Sequence, residues 1–141
     1  MRDTMLRQQR DFALFCSYQE ALKEKSFSSQ NAAIEYVLSS PAPQWFVSRE
    51  FCSAVISSRL RGKDFYKMSR AKRRKFDALF ALYQQMRQLP ENKNLSHRDV
   101  CVKIVLTPAP EWFLHYDAAA LILLRERKLR NDKVAQRYGR Q

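Results

Sequence analysis

The chain has 141 residues, 45% of them hydrophobic, only 2 glycines and a formal net charge of +12. This composition excludes a low-complexity or disordered protein and is typical of a globular fold with an apolar core. Three widely spaced cysteines, Cys16, Cys52 and Cys101, indicate neither a disulfide framework nor a zinc site. No apolar run suits a signal peptide or a membrane span, so we expect a cytoplasmic protein, associated with the nucleoid if the source is bacterial.

Two blocks of sequence recur along the chain. Residues 13–19 (ALFCSYQ) match residues 78–84 (ALFALYQ) at five of seven positions. Residues 40–46 (SPAPQWF) likewise match residues 107–113 (TPAPEWF) at five of seven. Two matches in the same order predict a tandem duplication. The spacing differs by two residues, which we assign to residues 89–94, a turn-rich insertion typical of a surface loop.

The duplication predicts an all-α fold built from two three-helix repeats. We expect residues 1–68 to form the first repeat, with a basic end, and residues 69–141 to form the second repeat, with a basic C-terminal tail. A unit of this size buries too little surface to be stable alone. The repeats should therefore pack as one compact body of about six helices.

Hydrophobic periodicity predicts three helices in the first repeat. The first covers residues 7–25. The second begins after the serine pair 28–29 and ends at Pro41, because proline lacks an amide donor and clashes with the preceding turn. The third begins near Ser48 and stops at Gly62, a residue type that favours the left-handed conformation of a helix end.

The second repeat predicts equivalent helices with one difference. The first opens at the cluster Lys72-Arg73-Arg74-Lys75, the second at Ser96 and the third at Tyr116. The third helix contains an uninterrupted apolar run from Ala118 to Leu124. A helix that is apolar all round is either the most buried one or part of a contact between repeats or chains.

Each Pro-Ala-Pro segment precedes a pair of aromatic residues, Trp45-Phe46 and Trp112-Phe113. Paired aromatics at a turn can stack on nucleic-acid bases. A large aromatic at the junction of two helices more often fills the gap between them. We therefore predict that these rings belong to the core.

The positive charge is concentrated in two segments. Residues 59–76 contain nine Lys and Arg against one Asp, and residues 125–141 contain seven against two acidic residues. Basic residues in a last helical turn complement the negative end of the helix dipole, which explains residues such as Arg59 and Arg61. The dipole disfavours the cluster 72–75 at a helix start, where four like charges also repel one another. That cluster therefore indicates a negatively charged partner.

Nucleic acid, an acidic protein surface and an anionic membrane all carry suitable charge. No sustained apolar face accompanies residues 59–76, so we expect no membrane binding. In a eukaryotic source, residues 71–75 would also suit a nuclear import signal.

A three-helix unit with a fixed turn between its second and third helices, the third ending in basic residues, resembles the helix-turn-helix class. Two such units in tandem resemble Myb-type or homeodomain-like DNA-binding repeats. The resemblance implies reading helices from Arg49 to Arg61 and from Tyr116 to Lys128. It also implies that Arg49, Ser53 and Ser57 of the first helix face the groove and read bases. The second reading helix has Ala120 and Leu124 at positions where base contacts are expected. We therefore expect only the first reading helix to contact bases. The motif Ser-Pro-Ala-Pro-x-Trp-Phe-Val-Ser is also similar to that of short, basic, uncharacterised bacterial proteins.

We predict a nucleic-acid-binding protein, with DNA favoured over RNA, that uses basic patches on phosphates. The alternative is an adaptor that oligomerises or holds a protein partner through the run from Ala118 to Leu124. No enzyme activity, catalytic residue, metal, cofactor or small-molecule substrate is predicted, because neither His97 nor His115 has a plausible catalytic or ligating partner nearby. The candidate binding residues are Arg49, Ser53, Ser57, Arg59, Arg61, Lys63, Lys67, Arg70, Lys72, Arg73, Arg74, Lys75, Arg125, Arg127, Lys128, Arg130, Lys133 and Arg137.

Overall fold

A computed structural model describes residues 4–63 and 68–138 of the chain, with side chains up to Asn131. These residues form six α-helices and no β-strand, which confirms the all-α prediction. Within the same residues, no helix is long and apolar enough to span a membrane. The helices are α1 (Thr4–Glu24), α2 (Gln30–Leu38), α3 (Arg49–Leu60), α4 (Arg70–Gln88), α5 (His97–Val105) and α6 (Tyr116–Tyr138), with a 3-10 turn at Pro90–Asn92.

Four of the helices begin directly after a capping serine. In each case the serine hydroxyl accepts a hydrogen bond of 3.0 to 3.3 Å from the backbone N–H three residues later. Such a cap satisfies one of the N–H groups that a helix start leaves without a helical acceptor. The predicted starts of α2, α3 and α5 are thereby confirmed. The capping residues are Ser29, Ser48, Ser69 and Ser96.

The end of α3 follows the predicted glycine. Gly62 has a φ of 87°, in the left-handed region. Its N–H donates to the carbonyl of Arg59 at 2.9 Å, and the N–H of Lys63 donates to the carbonyl of Ser58 at 3.1 Å. This pair of bonds is a Schellman motif, which satisfies carbonyls that the helix end leaves free.

The helices pack in two sets of three. One set contains α1, α2 and α6, and the other contains α3, α4 and α5. Each set therefore contains two helices of one predicted repeat and the third helix of the other. Both sets contain residues from either side of the predicted boundary between residues 68 and 69. The assignment of residues 1–68 and 69–141 to two repeats stays a prediction.

The two Pro-Ala-Pro segments explain how the third helices reach the opposite repeat. Prolines 41 and 43 restrict the connection between α2 and α3 to an extended course, so α3 does not fold back onto α2. The second connection runs alongside the first in the opposite direction. Ala42 and Ala109 exchange two backbone hydrogen bonds of 3.0 Å in an antiparallel bridge. The bridge holds both connections at the centre of the molecule.

The aromatic pairs also contact across this centre. The Trp45 ring stacks on Phe113 at 5.6 Å, and the Phe46 ring stacks on Trp112 at 5.8 Å. Both tryptophans are buried, which confirms their prediction as core residues. The φ angles of Phe46 and Phe113 are 56° and 55°, in a region that costs a bulky residue about 1–3 kcal/mol. Each stacked pair contributes about 0.5–1.5 kcal/mol, which offsets part of this strain.

The insertion at residues 89–94 contributes to the core as well as to the surface. Asn92 lies in its 3-10 turn with only 1% of its surface exposed. Its side-chain amide donates to the carbonyl of Met86 at 2.8 Å and accepts a hydrogen bond from Lys103. The prediction of a surface loop therefore missed a buried polar residue that ties the end of α4 to α5.

Candidate nucleic-acid interface

Exposed basic side chains lie on both sides of the connection between α3 and α4. We name Arg61, Lys63, Arg70, Lys72 and Arg73, all of them exposed, the basic corner. Arg61, Lys63, Arg70 and Lys72 form no ion pair with any residue that the structure describes. The basic corner thus keeps most of its positive charge available to solvent and to a binding partner.

The start of α4 reinforces this positive field. The first turn of α4 contains no acidic residue, and its capping residue Ser69 is neutral. The Ser69 hydroxyl and carbonyl accept from the backbone N–H groups of Lys72 and Arg73, at 3.3 and 2.9 Å. The N–H groups of the two preceding residues point away from the helix body, where a helix start attracts anions. Backbone and side chains therefore favour the same class of ligand.

Three other candidate residues are used within the fold. Arg59 forms an ion pair of 3.1 Å with Asp77 of α4, and Arg74 forms one of 3.0 Å with Glu111. Arg130 bonds to Glu126 at 3.3 Å, and its guanidinium lies 4.4 Å from the centre of the Phe12 ring. These arginines link helices or neutralise acidic groups, so they contribute less to a basic surface than their number suggests.

The face of α3 assigned to base reading lies partly against α5. The imidazole Nε2 of His97 is 3.2 Å from the Ser57 hydroxyl and 3.2 Å from the Ser53 carbonyl. On the other side of the ring, Nδ1 is 3.1 Å from the Tyr83 hydroxyl, which itself accepts from Arg87 at 3.2 Å. The Ser53 carbonyl can only accept, so Nε2 carries a proton and donates to it, and in the neutral imidazole Nδ1 then accepts from the Tyr83 hydroxyl. Ser53 and Ser57 thus join α3 to α4 and α5.

Arg49, the third base-reading candidate, is exposed at the start of α3. Its Nε donates to the carboxylate of its neighbour Glu50 at 2.9 Å. This bond from Arg49 lowers the pKa of Glu50. The pair places a negative charge beside Arg49, which reduces its attraction for a phosphate.

The second basic segment follows the outer surface of α6. Arg125, Arg127 and Lys128 are exposed. Lys133 and Arg137 fall within α6, but their side chains lie outside the described part of the structure, as does the whole of Lys67. The apolar run at the start of α6 is divided between the core, which holds Ala119, Ile122 and Leu123, and the surface, where Leu121 and Leu124 are 47% and 62% exposed.

Sequence reasoning missed a groove that opens next to the basic corner. It has a volume of about 880 Å³ and lies between α3, the first half of α4 and the start of α6, with one residue from α1. We name it the apolar groove. The sequence did contain a sign of this groove, because Arg10 and Lys75 precede the two matched blocks at equivalent positions. Their meeting in one groove depends on the exchange of the third helices, which the sequence did not predict. The lining residues that matter most are Arg10, Phe51, Ala54, Lys72, Lys75 and Phe113.

Lys75 is the unusual residue of the apolar groove. Its ammonium group forms no hydrogen bond or ion pair with any residue that the structure describes. Burial, and then the charge of Arg10, lower the pKa of Lys75 from 10.5 to about 8. Arg10 itself bonds to Asp11 at 2.8 Å. Lys75 is therefore a partly desolvated cation without a counter-ion in the described structure.

No protein-family model, curated protein or solved structure matches this chain.

Proposed function

We propose that the protein binds nucleic acid in the cytoplasm, through contacts between the basic corner and the phosphates of the nucleic-acid backbone. The observation that carries this proposal is the start of α4, where the exposed cations Arg70 and Lys72 lie at the positive end of a helix dipole and form no ion pair with any described residue. Mutual repulsion makes such a cluster unfavourable in isolation. A polyanion removes the repulsion and releases its own counter-ions, which favours binding.

The proposed binding depends more on phosphate contacts than on base contacts. Two of the three residues considered for base reading, Ser53 and Ser57, form the network with His97, and Arg49 is paired with Glu50. Phosphate contacts give affinity and little sequence discrimination. We therefore expect binding that depends strongly on salt and weakly on sequence.

Charge reversal in the basic corner tests the proposal. The double variant Lys72→Glu, Arg73→Glu should lower affinity for any nucleic acid by tenfold or more and reduce the slope of log affinity against log salt by about 2, one for each lost phosphate contact. Fluorescence anisotropy with labelled DNA and RNA at about 50 and 200 mM salt measures both quantities, in the range where phosphate contacts respond strongly to salt.

The control variant is Lys23→Glu, Lys25→Glu, which changes the net charge by the same amount at the end of α1. It should bind almost as tightly as the parent protein. Equal losses in both variants would show that only the net charge matters. Failure of the parent protein to bind any nucleic acid at about 50 mM salt, where phosphate contacts are strong, would refute the proposal.

The exposed leucines of α6 favour a second candidate function, that of an oligomerising adaptor. Leu121 and Leu124 are one turn apart on the helix surface, and exposed neighbouring leucines are typical of a protein contact. Light scattering of the parent protein and of Leu121→Gln, Leu124→Gln tests it. A parent oligomer that the variant converts to a monomer supports the adaptor, and a parent monomer at all concentrations excludes self-association.

A further inference from the structure

The apolar groove and the basic corner share part of their surface. Lys72 belongs to both, and Ser69, the capping residue of α4, also lines the groove. A polyanionic strand that lies along the basic corner therefore passes the mouth of the groove. The apolar groove is therefore within reach of a nucleic acid bound at the basic corner.

A second observation is the apolar and aromatic lining. The Phe51 ring is 44% exposed and leans against Phe76, with the ring centres 5.7 Å apart and the planes at 68°. Phe76 and Phe113 are buried below it. This edge-on contact leaves a face of Phe51 available to a planar ligand, and aromatic faces bind nucleic-acid bases by stacking. The size of the groove, about 880 Å³, is typical of sites for small organic ligands.

A third observation is the charge of the lining. The charged side chains that line the apolar groove, within the described structure, are the cations Arg10, Lys72 and Lys75, and no carboxylate lines it. Lys72 and Lys75 are three residues apart on α4, so their side chains emerge on the same side of the helix. An anionic group between them would give Lys75 the counter-ion that it lacks. The ligand therefore combines a flat apolar part with a negative group.

We propose that the apolar groove binds an unpaired nucleotide of a single-stranded nucleic acid, with its base against Phe51 and its phosphate between Lys72 and Lys75. This inference rests on the proposed function and specifies its substrate class. The hydroxyl of Ser58 and the imidazole of His115 also line the groove and can bond to the edge of the base. A base inside a duplex is stacked between its neighbours and cannot enter, so the groove distinguishes single strands from duplexes.

Two variants alter the groove without removing charge. Phe51→Leu keeps an apolar contact with Phe76 but removes the stacking face. Ala54→Trp places a bulky side chain at an exposed position of the groove wall and fills the space for the base. A control, Tyr36→Leu, removes a ring that is 40% exposed and lies outside the groove. Circular dichroism and thermal unfolding establish that each variant is folded.

Anisotropy with a 15-nucleotide oligothymidine and with a 15-base-pair duplex gives the first readout. Phe51→Leu and Ala54→Trp should each lower the affinity for the single strand by about tenfold, the effect expected from losing one stacked base. Their affinity for the duplex should change less than twofold. Tyr36→Leu should change neither. If both groove variants leave single-strand binding unchanged, or weaken both substrates equally, the inference is wrong although the proposed function stands.

The fluorescence of 2-aminopurine, placed once in the oligothymidine, gives the second readout. Stacking on Phe51 should quench it in the parent protein and in Phe51→Tyr, but not in Phe51→Leu. A parent protein that binds neither substrate at about 50 mM salt, where phosphate contacts are strong, refutes the proposed function itself. If 2-aminopurine is unaffected, and a helical peptide of Glu and Leu binds in a way that Phe51→Leu abolishes, the groove is a protein-docking site and the inference fails.

Discussion

Replacing Lys75 by methionine should stabilise the protein at neutral pH. Methionine keeps the unbranched shape of the side chain and removes the charge, so the change isolates the cost of holding an ammonium group in the apolar groove. Lowering the pKa of Lys75 from 10.5 to about 8 corresponds to ~3 kcal/mol. Because the side chain keeps some contact with water, we expect Lys75→Met to raise the free energy of unfolding by ~1–3 kcal/mol at pH 7.

The pH dependence of this gain has a definite sign. Below about pH 8 the lysine is protonated in the folded and unfolded states, so the full cost of burying its charge is present. Between about pH 8 and pH 10.5 the folded state releases the proton first, the unfolded chain holds more protons, and the stability of the parent protein rises relative to the variant. The advantage of Lys75→Met should therefore shrink by about three quarters between pH 7 and pH 10.

Urea denaturation followed by the fluorescence of the buried tryptophans measures this difference. The exposed neighbour Lys72→Met serves as the control and should change stability by less than ~0.5 kcal/mol at either pH. Arg10 and His115, which also line the groove, are unchanged in all three proteins. A lower stability of Lys75→Met at pH 7, or an equal difference at both pH values, would contradict the reasoning.

Three further predictions concern the core. Asn92→Ala leaves the Met86 carbonyl and Lys103 without their partner and should cost ~1–3 kcal/mol in urea denaturation, whereas Asn94→Ala, at an exposed neighbouring position, should be neutral. Trp45→Phe loses the 3.2 Å hydrogen bond from its indole N–H to Thr107, whereas the indole N–H of Trp112 has no partner among the described residues. Trp112→Phe should therefore lower the free energy of unfolding less than Trp45→Phe, and equal losses would contradict this prediction. In a thiol titration, exposed Cys16 should react fast, whereas burial raises the pKa values of Cys52 and Cys101 and should protect both until urea unfolds the chain.

The loss of stability attributed to Lys75 is what a binding site requires. If position 75 served only the fold, an apolar residue there would make the protein more stable. The expected stability gain of Lys75→Met follows from this. Binding residues are often less stable choices than their alternatives, because their charge or exposed ring is satisfied only in the complex. Phe51 and Lys75, which face the same groove, both fit this description.

The basic residues illustrate what local sequence can and cannot predict about a site. The helix dipole marks the start of α4 as an unusual place for cations, and there Arg70 and Lys72 are exposed and form no ion pair with any described residue. The dipole does not distinguish them from Arg59 and Arg74, whose ion pairs reach Asp77 and Glu111 on other parts of the chain. Charge is a property of the residue, whereas pairing depends on which elements pack together.

The sequence by itself determined the helices of this protein. Serine caps and the glycine after α3 act within one or two turns, so the residues that start α2, α3 and α5 and the glycine that stops α3 are readable without tertiary information. The prolines predict the ends of α2 and α5 less closely, because these helices end at Leu38 and Val105, three residues before Pro41 and Pro108. The burial of the two tryptophans also follows from their place after rigid turns. The duplication itself stays a prediction from the two matched blocks.

Only the tertiary structure decided which helices pack together. The third helix of either repeat has an apolar face that suits either pair of partner helices, and periodicity does not say which pair it meets. The direction of the extended proline segments, fixed where Ala42 and Ala109 pair, sends α3 to α4 and α5 and sends α6 to α1 and α2. The apolar groove exists because of that choice, since it brings Arg10, Phe51 and Lys75 together from three helices.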